Sequence, residues 1–129
     1  MTDMTYISKE IAEVSQRLGL HTTFLRRIEA IAIRDRVAAR YGLDINLLSF
    51  AAYRQDQAAI CDPNAWRLIG EFVADRPSFL IINNENSPEI WTISSGAELT
   101  ALLAETIGFP FHVTDSTIDF LFYYDDDDC

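Results

Sequence analysis

The residues most able to do chemistry gather at the end of the chain. Asp125-Asp126-Asp127-Asp128 places four carboxylates side by side, and Asp119 stands just before them. Adjacent carboxylates repel one another, so a fold gains nothing by holding them together. Such a run is either a solvated tail or a negative surface for a cationic partner. It lacks the alternating ligand spacing of a calcium loop, and no Glu follows to complete one. Two tyrosines, Tyr123 and Tyr124, directly precede it. An aromatic side chain beside a charged rim is the composition of a protein-binding hot spot.

Other reactive side chains do not assemble into a site on paper. His21 and His112 are far apart, and no His or Cys pair has zinc spacing. Both histidines read as capping or surface residues; a catalytic His112 with Asp115 or Asp119 would need a nucleophile that no motif supplies. Ser94-Ser95-Gly96 is not a nucleophile elbow, and neither a dinucleotide fingerprint nor a P-loop occurs. Cys61 and Cys129 make no disulfide framework. The expectation is a chain with no catalytic residues, no metal and no cofactor.

Charge sharpens this. The chain has 129 residues, 10 Lys+Arg against 20 Asp+Glu and a formal net charge of −10. All ten cations fall before Pro77, balanced there by ten acids. Residues 77–129 hold the other ten acids, Glu85, Glu89, Glu98, Glu105, Asp115, Asp119 and Asp125–Asp128, and no Lys or Arg. A protein whose main task is to grip nucleic-acid phosphates needs a dense basic surface, which this is not. Anionic membranes are disfavoured on the same ground. No apolar run approaches a membrane span, and Met1–Glu10 lacks the pattern of a signal peptide, so the cytoplasm is the expected location. Nine of the ten cations are Arg, suited to fixed contacts. They read as helix-surface partners, or as a basic half that docks on acids of the other half.

The elements that must position these residues fall into two sets. Ile7, Ile11, Val14 and Leu18 lie on one helical face, and Gly19 is a natural stop. His21-Thr22-Thr23 reads as the cap of a second helix running from Phe24 to about Tyr41, with Phe24, Leu25, Ile28, Ile31, Ala32 and Ala38 along one side and Gly42 ending it. Leu43–Cys61 is read as helix on its alanines, although Leu48, Phe50 and Ala52 would also alternate in a strand. Asp62-Pro63 opens a helix carrying Trp66, Ile69, Phe72 and Val73, closed by Arg76-Pro77.

From Ser78 the pattern changes. Phe79–Ile82 and Glu89–Ile93 read as strands of a hairpin around Asn83–Pro88, with Trp91 a core candidate. Ser95 to Glu98 has capping-box spacing before a helix with Leu99, Leu102, Leu103 and Ile107 on one stripe, stopped by Gly108. Phe109, Phe111 and Val113 predict a strand with one buried face, starting at a sheet edge because of Pro110. Ile118 to Tyr124 predicts a last strand. The expectation is one α+β domain over residues 1–129. Its helical, neutral half (1–76) precedes an acidic β-β-α-β-β half (77–129) forming a mostly antiparallel sheet.

That second half resembles the small acidic immunity proteins of bacterial polymorphic-toxin and contact-dependent-inhibition systems. The resemblance is carried by Trp66-Arg67-Leu68-Ile69 leading into Phe79-Leu80-Ile81-Ile82, then Ile90-Trp91-Thr92-Ile93, a short helix, Phe109–Asp115, and Phe120-Leu121-Phe122-Tyr123-Tyr124 running into acids. It covers about half of the chain. It implies an inhibitor made beside its toxin, not an enzyme. A nuclease toxin has a cationic cleft, so its inhibitor is expected to be acidic. Asp119 and Asp125 to Asp128 would supply charge, with Tyr123 and Tyr124 as anchors. The alternatives are an acidic adaptor for a basic cellular partner, or a DNA mimic with its acids spread over one face.

Overall fold

The computed structural model describes residues 5–41, 65–82, 88–106, 111–118 and 120–124. Among the described residues four helices and five strands follow in the order α1 (Tyr6–Leu18), β1 (Thr22–Phe24), α2 (Arg27–Tyr41), α3 (Ala65–Val73), β2 (Ser78–Ile82), β3 (Glu89–Ile93), α4 (Gly96–Glu105), β4 (Phe111–Asp115) and β5 (Phe122–Tyr124). The class is α+β. The strands form one sheet in the order β1-β3-β2-β4-β5, antiparallel at every described pairing. The expectations for Gly42, Leu43–Cys61, Asp62-Pro63, Asn83 to Ser87, Ile107, Gly108 and Pro110 lie outside the described residues.

The sheet is covered on both faces. Side chains alternate along a strand, so the central strands β2 and β3 feed two cores. Leu80, Ile82, Trp91, Ile93, Phe111 and Val113 meet Ile11 and Val14 of α1, Ile69 and Val73 of α3, and Leu99, Leu102 and Leu103 of α4. Ile81 and Ile90 point the other way and meet Ala30, Ile33 and Val37 of α2, with Ile118. This corrects the expectation for β4. It lies between β2 and β5 rather than at an edge, and all five of its residues are buried, His112 and Thr114 included.

The helix ends follow from local chemistry. Thr5 caps α1 by accepting from the Ser8 N–H. At the other end Gly19 takes the left-handed conformation, φ 67°, and the Leu20 N–H reaches back to the Ser15 carbonyl at 2.9 Å. That is the glycine stop the sequence predicted. Ser95 caps α4 through the Glu98 N–H, but the Glu98 carboxylate turns elsewhere, so only half of the capping box forms.

Three elements depart from the sequence reading. Thr22–Phe24 is a strand on the outer side of β3, not the start of a helix. Two β-branched residues and a phenylalanine suit a strand, and Phe24 packs its ring 5.0 Å from that of Trp91. The helix therefore begins at Arg27, and its buried side is Ala30, Ile33, Val37 and Ala38. Ile28, expected inside, is 74% exposed. Leu18, expected on the buried face of α1, is also exposed. The last strand is shorter than expected: Ile118 is buried with φ 57°, a backbone no strand can use, and pairing begins only at Phe122.

Helices α3 and α4 touch through two glycines. A Cβ on Gly70 would lie 1.9 Å from Thr100 Oγ1, and one on Gly96 would lie 2.0 Å from the Gly70 carbonyl oxygen. The Gly96 N–H also donates to the Ala74 carbonyl at 2.6 Å, joining the end of α3 to the start of α4. Gly96→Ala must push the helices apart, because the obstacle is backbone. The expected cost is about 1–3 kcal/mol, read as a lower urea midpoint; an unchanged midpoint would refute the close approach.

Candidate functional site

Of the expected site residues, Asp119 and Asp125–Asp128 lie outside the described residues. Tyr123 and Tyr124 belong to β5, in register with His112 and Phe111. β5 is the outermost strand on its side of the described sheet. The acids bracket it: Asp119 comes just before Phe120, and Asp125 follows Tyr124. The register places Tyr124, Phe111, Ile82 and Glu89 at one end of the sheet, the end where α1 begins.

Each of the other described acids of this half reaches into the helical half. Glu89 is buried and sits at the start of α1, whose first turn has no acid of its own. Its carboxylate accepts from the Thr5 hydroxyl at 2.9 Å and the Thr5 N–H at 3.3 Å. An anion is favoured there by the helix dipole. Glu98 accepts from the His21 N–H at 2.6 Å and from the Ser94 hydroxyl. The Ser94 hydroxyl first, and then the His21 N–H, hold its carboxyl below the usual range. Glu105 pairs with Arg17 at 3.4 Å. Asp115 pairs with Arg76 at 3.7 Å and accepts from the Thr117 hydroxyl at 3.1 Å. The docking of a basic half on acids of the other half is thus realised at Arg17 and Arg76.

Arg76 does more than pair. Its Nε donates to the Val73 carbonyl at 3.2 Å and its Nη2 to the Phe72 carbonyl at 3.0 Å, closing the end of α3. Its guanidinium lies 5.3 Å from the ring centres of both Phe72 and Phe120. Only a planar fork combines these contacts. The ion pair itself contributes little, because the Arg76 side chain is 45% exposed. Arg76→Lys keeps the charge and loses the fork. It is expected to cost about 1–2 kcal/mol in chemical denaturation, and a variant as stable as the parent would show that charge alone suffices.

A contiguous aromatic face surrounds Arg76, and the sequence reading missed it. The ring of Phe72 meets those of Phe120 and Phe122 edge-on, with centres 5.0 and 5.1 Å apart. Phe72 is nevertheless 51% exposed, and Leu68, one turn earlier on α3, is 46% exposed. The signal lay in their spacing: Leu68 and Phe72 are four residues apart, on a different flank from Ile69 and Val73. Trp91, by contrast, is core as expected; its Nε1–H donates to Ser8 Oγ at 3.1 Å.

Of the two histidines, His21 lies at the surface as expected and His112 does not. His21 is exposed beside Glu98 and precedes a strand rather than a helix. His112 is fully buried in β4, not at the surface. Burial pushes its imidazole down from 6.5 to about 4. Among the described residues no group of three His, Cys, Asp or Glu could hold a metal, and no helix is long and apolar enough to cross a membrane. No family model, curated protein or solved structure matches the chain.

The buried imidazole sets a pH dependence. Between pH 4 and 6.5 the unfolded chain takes up a proton at His112 that the folded chain excludes. Stability from this group is complete above 6.5 and falls as the pH drops toward 4. The full loss is about 3 kcal/mol. His112→Leu should flatten that part of the profile when urea unfolding is followed across the same range. A variant with the parental slope would assign the loss to the carboxylates instead.

Proposed function

We propose that this chain is an immunity protein (antitoxin) that binds and neutralises a cognate bacterial toxin domain, a nuclease with a cationic active-site cleft. One observation carries the reading: residues 77–129 hold ten acids and no Lys or Arg, so the net charge of the chain lies in this half. Four of its ten acids, Glu89, Glu98, Glu105 and Asp115, engage partners in the helical half. The other six, Glu85, Asp119 and Asp125–Asp128, lie outside the described residues.

A surplus of this kind suits capture of a basic surface. Complementary charge raises the association rate and discriminates between partners, and both matter when the target is an enzyme that keeps turning over. A DNA mimic is the weaker reading, because it needs acids spread over one free face, and Glu89, Glu98, Glu105 and Asp115 are engaged internally. An acidic adaptor shares the same chemistry and differs in its partner. The inhibitor is placed in the cytoplasm, where it would meet its toxin.

Gel filtration with the C-terminal domain encoded by the neighbouring gene tests the reading. A stable complex at low micromolar concentration, and rescue of growth on co-expression, are expected; no complex and no rescue would end it. Deleting Asp125–Cys129 should slow association while leaving the melting temperature nearly unchanged. Unaltered association after that deletion would reduce the tail to a solubility device.

A further inference from the structure

We infer that the outer edge of β1 pairs with the same edge of a second copy of this chain, antiparallel about a two-fold axis at Thr23, so that one sheet runs through both copies. The inference goes beyond the inhibitor reading and does not depend on it. β1 is the outermost strand on its side of the described sheet. It pairs Thr22 with Ile93, Thr23 with Thr92 and Phe24 with Trp91. One step further the Leu25 N–H donates to the Ile90 carbonyl at 3.0 Å. Along an antiparallel ladder, alternate residues bond to a given neighbour. Leu25 bonds to β3, so Thr23 does too, and the N–H and C=O groups of Thr22 and Phe24 point to the open side. Among the described residues no other backbone bonds to them. Such a row of backbone groups is a template for another strand, and edges that avoid partners carry a Lys, a Pro or a bulge. β1 has Thr-Thr-Phe, with Thr23 exposed at its centre.

This edge complements itself. With the axis at Thr23, Thr22 of one copy faces Phe24 of the other, so each outward N–H meets an outward C=O. The two Thr23 side chains then stand directly opposite each other, a cross-strand pair that sheets favour. One patch serves both copies, as a two-fold contact requires. Charge selects the antiparallel copy over other strands. At the His21 end the Glu98 carboxylate accepts from the His21 N–H. At the other end stand Arg26, bonded to Glu29, and exposed Arg27. Glu89 belongs to that end too, but it is buried against Thr5. One end of the edge thus presents a carboxylate and the other an excess of guanidinium. Antiparallel pairing lays the acidic end of each copy along the basic end of the other. A guest strand of a single charge sign would gain at one end and be opposed at the other. The contact is short, so the dimer is a weak one.

Sedimentation velocity of the full chain gives the first test. A dimer absent at about 1 µM and populated at roughly 100 µM is expected for so small an interface; a monomer throughout would overturn the inference. Amide hydrogen exchange gives the second. The Thr22 and Phe24 amides should slow as the concentration rises through that range, whereas the Thr23 amide, bonded to β3, should not change. Slow exchange of Thr22 and Phe24 already at 1 µM (roughly the monomer range) would show that something else covers the edge, and would overturn it equally. Two variants then locate the axis. Thr23→Lys and Thr23→Glu change an exposed side chain, so each should melt with the parent. Each sets like charges opposite one another and should weaken the dimer at least about tenfold. Mixed together, the two should pair at least as tightly as the parent. A mixture that stays monomeric, or a dimer indifferent to both substitutions, would exclude β1 as the interface. Thr22→Pro removes an outward N–H and leaves the bonds to β3 in place, so it should also yield a folded monomer. None of these outcomes bears on whether the toxin domain binds.

Discussion

The structure depends on a sheet whose central strands are buried on both faces. An antiparallel sheet commonly keeps one face wet. Here β2 and β4 send Leu80, Val113 and Phe111 to one core while Ile81 and His112 lie on the opposite face, and both sides are closed. Three helices, α1, α3 and α4, cover the first face, and α2 covers the second. Neither half of the sequence can satisfy that demand alone. The strand-rich half has one described helix, α4, and the helical half lends β1 to the sheet. Burying both faces also explains a neutral imidazole inside β4. No strand position there is left for solvent, so His112 gives up its charge.

The same constraint explains where the acids of the strand-rich half went. A helix laid over a sheet needs its ends satisfied, and the nearest groups are those at strand ends and on α4. Glu89 begins β3 and meets the start of α1; Glu98 and Glu105 of α4 meet the residues at and beyond its end. Three carboxylates thus lie along the length of one helix from the other half. Their contribution is more positional than energetic. Exposed pairs such as Arg17–Glu105 are worth little, whereas a carboxylate accepting backbone N–H groups fixes where a segment starts. At these carboxylates, charge segregation in the sequence is thereby converted into contacts between the two halves of the fold.

Much of the architecture was legible in the residues because its signals are local. The periodicity of α1, its glycine stop, the Ser95 cap and the β2–β3 hairpin all depend on neighbours within a few positions. What was missed depends on distant partners. Thr22–Phe24 is a strand only because β3, about 70 residues later, offers it an edge. His112 and Thr114 alternate with apolar residues and so read as a wet face, yet α2 and its neighbours close that side. Ile118 occupies a left-handed backbone that no β-branched residue would be expected to adopt. The candidate site divides in the same way. The acidic run is plain in the sequence, but the exposure of Phe72 is not. Within α3 it looks like one more core residue beside Ile69 and Val73, yet it lies on the flank of Leu68 and stays half exposed beside Phe120 and Phe122.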